Sequence, residues 1–163
     1  MELLSRRKYL KYGFLTTAIL VMGKAKLFAI VTPLDTIKIV QGDLFPYAKE
    51  LGIDTSKYIP IILNHSKVTK DDKEFITNGV KWLNEESVTK YNKIYTKLDS
   101  TQRQNILKII SKQRWGENWV FDMLGYIFES MLGDPICGGN NNEAGWKWLN
   151  FKGGNPRPVK AFL

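Results

Sequence analysis

The sequence feature that most constrains the fold is an apolar stripe with helical spacing between Glu117 and Leu132. Its members are Trp119, Val120, Met123, Leu124, Ile127, Phe128, Met131 and Leu132. Residues spaced in this way share one face of an α-helix, and Glu117 in the first turn complements the helix dipole. A stripe of aromatic and methionine side chains can line a cofactor, but core packing is its commoner role. We therefore predict the central core helix here.

Further helices are predicted where capping residues precede apolar residues at helical spacing. Thr69 and Asp72 match a capping box, and Asp99 or Ser100 can cap another helix. The predicted segments are a short helix between Pro46 and Gly52, a second at 56–66, helices at 70–85 and 88–98, and one that includes Ile106, Leu107, Ile109 and Ile110. Residues 30–44 lack a sustained period, which predicts an extended lead-in. Because no run alternates like a strand, we predict an all-α fold, a small irregular helical domain with a long C-terminal loop segment.

Length and charge limit the functional classes. A chain of 163 residues fits one domain with a hydrophobic core. The net charge of +8 could indicate nucleic-acid binding, but six of the 24 basic residues and one of the 16 acidic residues precede position 30. The remaining 18 basic and 15 acidic residues leave only +3. No nucleic-acid partner is therefore expected.

The start of the chain has the pattern of an export signal. A basic region is followed by an apolar stretch at 13–23, which is too short for a membrane span of about 20 residues. The run Ser5, Arg6, Arg7, Lys8, Tyr9, Leu10 and Lys11 resembles the twin-arginine signal, with Tyr9 where phenylalanine is usual. The resemblance implies export of a folded protein to the periplasm by the twin-arginine translocase. We expect a signal at 1–29 and a single domain at 30–163, although retention of the signal as an anchor stays open.

After Leu132 the chain is rich in glycine and asparagine but contains several aromatic residues. Gly133, Asp134, Pro135, Cys137, Gly138, Gly139, Asn140, Gly145, Trp146 and Lys147 resemble the GDPxYGGN…GWK signature of gluconate 2-dehydrogenase subunit 3. The later GGNPRP run also fits that family. Cys137 stands where tyrosine is usual, so no role of that tyrosine is carried over. The motif residues are the predicted partner-binding residues.

The resemblance implies a non-catalytic accessory subunit. Such subunits accompany a large FAD-containing dehydrogenase without its own export signal, and often a membrane-bound multihaem cytochrome c. The resemblance places FAD in the large subunit and haem c in a third, and we expect this chain to bind no cofactor. Its expected role is to escort the flavoprotein through twin-arginine export, to stabilise it and to associate with the membrane through the complex.

The alternatives are a stand-alone periplasmic enzyme or metal-binding protein that uses Asp134 and His65, with Cys137 as a further candidate, or an assembly factor for another exported enzyme. The glycine-rich loop lacks the dinucleotide and P-loop patterns. His65 is the only histidine and is expected to be solvent-facing or capping, and Asp134 before a proline to hold a turn. Cys137, the only cysteine, is expected to be half-buried. Asn140, Asn141 and Asn142 are expected to take turn or left-handed conformations. We predict no catalytic or metal-binding residue.

Overall fold

The computed structural model describes residues 32–161, so the predicted export signal lies outside the described residues. Within that range the fold is all-α, as predicted, with seven α-helices and no strand. The helices are α1 (Pro33–Leu44), α2 (Tyr47–Glu50), α3 (Tyr58–Asn64), α4 (Lys70–Tyr91), α5 (Ser100–Ile110), α6 (Arg114–Leu132) and α7 (Ala144–Trp148). Between residues 32 and 161, none of them has both the length and the apolar character needed to cross a bilayer.

Helix α6 is the central element, as the apolar stripe predicts. It contacts α1, α3, α4, α5 and α7. The side chains of Trp119, Met123, Ile127 and Met131 are completely buried, and they recur at the predicted spacing of four residues. Because these four residues occupy one face of α6, the other helices pack around that face.

Trp119 fixes the crossing of α6 with α4. Its indole Nε1 donates a hydrogen bond of 3.2 Å to the carbonyl oxygen of Ile76 on α4. The ring lies against Gly79, where a Cβ atom would overlap the indole. The largest buried side chain of the core therefore depends on the absence of a side chain on the facing helix.

The prediction of an extended lead-in at 30–44 was wrong from Pro33 onward, because Pro33–Leu44 forms α1. Thr32 and Asp35 form a reciprocal capping box, in which each side chain accepts a hydrogen bond from the backbone of the other. Pro33 occupies the first turn, where its missing N–H group breaks no hydrogen bond. Ile37 and Val40 are completely buried. Tertiary packing therefore stabilises this helix, although its apolar residues follow helical spacing over only a short stretch.

Most other helix boundaries follow the capping residues. Thr69 caps α4, and Asp99 forms a capping box with Gln102 at the start of α5. The two predicted short helices correspond to α2 and α3. The predicted segment 88–98 is divided, because α4 ends at Tyr91. Its C-cap residue Asn92 has a left-handed conformation, and a separate 3₁₀ turn follows at Tyr95–Lys97.

A partly buried polar cluster joins α1 to α5. The Asp43 carboxylate accepts hydrogen bonds from the Tyr95 hydroxyl at 2.8 Å and from Arg103 Nε at 2.7 Å. Arg103 Nη2 reaches the second carboxylate oxygen at 3.1 Å, so the ion pair is bidentate. Burial, and then the Asp43 charge, raises the pKa of Tyr95, so the tyrosine is a neutral donor at physiological pH.

The substitution Gly79→Ala tests the contact between Trp119 and α4. Alanine is the better helix former, but its methyl group would displace a fully buried indole, so we expect a loss of about 1–3 kcal/mol in the free energy of unfolding. Urea unfolding measures the loss. The matched control is Gly42→Ala in α1, where a Cβ atom meets nothing within 4 Å and a gain of up to about 1 kcal/mol is expected. Equal gains for both variants would contradict the proposed contact.

Candidate partner-binding surface

The residues after α6 fold back over the end of that helix. Asn140 is completely buried, and its side chain joins two parts of the segment. Its Nδ2 donates to the Gly133 carbonyl at 3.0 Å, and its Oδ1 accepts from the Gly145 amide at 2.8 Å. Trp146 Nε1 donates to the Leu132 carbonyl at 2.6 Å. Terminal carbonyl groups that lack a helical partner are thus satisfied by side chains of the following segment.

Two motif glycines allow this close approach. A Cβ atom at Gly139 would collide with Ser130, and one at Gly145 would collide with the Met131 carbonyl. Both neighbours belong to the last turn of α6. Gly139 and Gly145 are therefore required for packing the segment directly on the helix backbone.

Arg157, which follows the segment in the chain, holds it in place by side-chain contacts. Its Nε donates to Asp134 at 2.8 Å, and its Nη1 donates to Glu143 at 3.1 Å. The guanidinium also lies 4.5 Å from the centroid of the Trp146 ring. The hydrogen bond from Arg157, followed by one from the Ile136 amide, holds the pKa of Asp134 below its usual value. In the sequence, Arg157 is notable only as part of the GGNPRP run. Its contacts with Asp134, Glu143 and Trp146 are visible only in the structure.

The residues of the alternative functions have local structural roles. His65 caps the end of α3, and its Nδ1 accepts a hydrogen bond from the Lys67 amide at 3.1 Å. Asp134 holds a 3₁₀ turn by accepting from the Ile136 amide at 3.0 Å. Cys137 is a half-buried free thiol, and burial raises its pKa, with a smaller contribution from Asp134. In the described range no hydrogen bond joins His65 to Asp134 or Cys137.

The predictions of a capping histidine, a turn-holding aspartate and a half-buried cysteine are confirmed. Asn142 has a φ of 54°, which confirms a left-handed asparagine in this turn. Within residues 32–161, no three His, Cys, Asp or Glu side chains are grouped so that they could hold a metal ion.

Four aromatic side chains from three parts of the chain meet at the surface. We call Phe45, Tyr47, Phe128 and Trp148 the aromatic patch. Phe45 lies 5.3 Å from Phe128 and 6.2 Å from Trp148 between ring centroids, and Tyr47 lies 5.6 Å from Trp148. Tyr47, Phe128 and Trp148 are each 38–40% exposed. The patch joins the α1–α2 corner to the ends of α6 and α7.

Other exposed apolar side chains lie on the elements that carry the aromatic patch. Leu149 and Phe151 follow α7 and are 51% and 55% exposed. On α6, Phe121 is 74% exposed and shares a helix face with Phe128, and Gly125 lies between them on that face. Large exposed apolar side chains that group together are typical of a protein–protein contact.

A family model described as gluconate 2-dehydrogenase subunit 3 matches residues 25–154. The chain belongs to the gluconate 2-dehydrogenase subunit 3 family. This match covers more than half of the chain and includes both the aromatic patch and the motif between Gly133 and Lys147. No curated protein and no solved structure matches the chain.

In this member of the subunit 3 family, two motif residues are buried against α6, whereas a neighbouring aromatic residue outside the motif is exposed. Asn140 and Trp146 are buried and hold the C-terminal segment on α6. Trp148 lies two residues beyond Trp146 in α7 and is exposed in the aromatic patch. The motif therefore builds the segment that carries Trp148, and direct contact of the motif with a partner stays a prediction.

The substitution Asn140→Ala tests how the segment is held. It leaves the Gly133 carbonyl and the Gly145 amide without their side-chain partner, so we expect a loss of about 1–3 kcal/mol in the free energy of unfolding. Denaturant unfolding gives the loss, and hydrogen exchange of the Gly145 amide locates it. The matched control is Asn141→Ala at the exposed neighbouring position. If both variants unfold alike, the side-chain bridge contributes nothing.

Proposed function

We propose that this chain is the non-catalytic small subunit of a membrane-associated, FAD-dependent dehydrogenase of the gluconate 2-dehydrogenase type, and that its aromatic patch binds the large flavoprotein subunit. The observation that carries this proposal is the patch itself. Its four rings contact one another, yet three remain more than a third exposed. Aromatic anchors of this kind supply much of the binding energy in protein interfaces.

Gly125 supports an interface on this side of α6. A glycine inside a helix lowers helix stability by about 1 kcal/mol relative to alanine. A Cβ atom at Gly125 would meet nothing within 4 Å, so packing inside the described chain does not require the glycine. Its place between Phe121 and Phe128 leaves a notch in an apolar ridge, into which the backbone of a partner can fit.

The proposed sequence of events begins in the cytoplasm. The folded subunit binds the flavoprotein, and the twin-arginine run at Ser5–Lys11 directs the pair to the twin-arginine translocase. In the periplasm the subunit stays bound, and binding that favours the folded flavoprotein stabilises it by mass action. FAD in the large subunit accepts electrons from a sugar or polyol hydroxyl, and a membrane-bound multihaem cytochrome c carries them onward. Substrate choice then belongs to the large subunit.

The aromatic patch is tested by co-purification of the tagged chain with the flavoprotein, with flavin absorbance as the readout. Trp148→Ala is expected to weaken the complex by about 2 kcal/mol, or roughly thirtyfold, as for a central interface residue. Val88→Ala, which shortens an exposed apolar side chain on α4, is the matched control.

Gly125→Ala is expected to stabilise the isolated chain by up to about 1 kcal/mol while weakening the complex. Unchanged flavin recovery with both Trp148→Ala and Gly125→Ala would place the interface elsewhere.

The escort role is tested by replacing Arg6 and Arg7 with lysine. Since the flavoprotein is expected to have no signal of its own, we expect the double variant to leave both proteins in the cytoplasm, with periplasmic flavoprotein reduced at least tenfold. Cell fractionation and immunoblotting measure the distribution. The control is Lys24→Arg, which keeps the charge outside the motif. Continued export of the flavoprotein with the double variant would disprove the escort role.

A further inference from the structure

A second aromatic cluster lies between α4 and the start of α6 and shares no residue with the aromatic patch. It lines a cleft of about 290 Å³. The cleft residues are Trp82, Glu85, Glu86, Thr89, Gln113 and Trp115. The four α4 residues follow the spacing i, i+3, i+4 and i+7, which places them on one helix face. The cleft therefore combines two indole rings with two carboxylates.

The two indole rings are held in place before any ligand binds. Trp82 and Trp115 lie 5.2 Å apart with an angle of 64° between the ring planes, and Phe75 lies 6.2 Å from Trp82. Trp115 Nε1 already donates to Gln113 Oε1 at 2.7 Å. Because its N–H group is used, Trp115 offers a ligand mainly its ring surface. Such surfaces carry negative electrostatic potential and attract cations.

The charge of the cleft is opposite to that of the whole chain. The protein carries +8, but the lining residues that fall within 32–161 include two carboxylates and no lysine or arginine. Glu85 has an ion pair of 3.8 Å with Lys81, in which both side chains are more than 40% exposed and attract each other weakly. Glu86 is half-buried and forms no ion pair in the described range.

We propose that this cleft binds a small organic cation of the quaternary ammonium class. Methyl groups on a charged nitrogen can pack on the ring surfaces that Trp82 and Trp115 present to the cleft, and the positive charge complements Glu86. An anionic ligand would be repelled by both carboxylates, and a neutral apolar ligand would not complement the charge of Glu86. The site is independent of the proposed dehydrogenase interface, because it uses α4 and the α5–α6 junction.

The test is a titration of the full-length chain with choline chloride to about 50 mM, which covers sites of millimolar affinity. The indole resonances of Trp82 and Trp115 are followed by NMR, with sodium chloride at equal ionic strength as the reference. The uncharged choline analogue 3,3-dimethyl-1-butanol is expected to bind at least fivefold more weakly. Absence of indole shifts with choline, or equal binding of the alcohol, would overturn the proposal.

Two further experiments test which residue binds the cation and whether the ligand is a free cation. Glu86→Gln keeps the shape of the side chain, removes its charge and is expected to weaken choline binding roughly three- to fivefold. Glu74→Gln, an exposed position on the same helix, is the matched control and should leave binding unchanged. Glycerophosphocholine carries the same cation beside a phosphate and is expected to bind more weakly than free choline. Tighter binding of glycerophosphocholine, or equal effects of the two glutamine variants, would contradict a site for a free cation at Glu86.

Discussion

The C-terminal end of α6 sets the main constraint on this structure. The last turn of any helix has carbonyl groups without helical partners, and here that turn is covered by the chain's own backbone. The Leu132 carbonyl accepts from Trp146, and the Gly133 carbonyl just beyond the helix accepts from Asn140. Gly139 and Gly145 allow the backbone contact that these hydrogen bonds need. The glycine- and asparagine-rich segment after α6 is thus an ordered cap on the core helix.

The cap also determines which aromatic side chains reach the surface. Trp146 and Trp148 are two residues apart in α7, so they point in different directions around a short helix. Trp146 packs inward between Arg157 and Phe151, while Trp148 contacts Phe45 and Tyr47 at the surface. A change at Asn140 or Gly145 would therefore affect the surface indirectly, through the position of α7. Substitutions in the cap and in the aromatic patch need separate measurements of folding and of binding.

Periodicity and capping residues predicted the fold class, the core helix and most helix boundaries, because these signals are local. Helix α1 was missed, since its short apolar period is stabilised by burial of Ile37 and Val40 against distant residues. The family was recognised from the motif between Gly133 and Lys147. The aromatic patch was not predicted, because Phe45, Tyr47, Phe128 and Trp148 meet only through tertiary packing. For the same reason the contacts of Arg157 with Asp134 and Glu143 could not be predicted from the sequence.

Arg157 also has a consequence for the order in which the protein matures. Translation proceeds from the amino to the carboxyl end, so α1, α4 and α6 leave the ribosome before the residue that joins Asp134, Glu143 and Trp146. A nascent chain that has released α6 therefore still has an uncovered helix end and lacks Trp148. Its aromatic surface becomes complete only after the cap has closed. Under the proposed function, a chain that ends before α7 would lack Trp148 and would bind the flavoprotein more weakly.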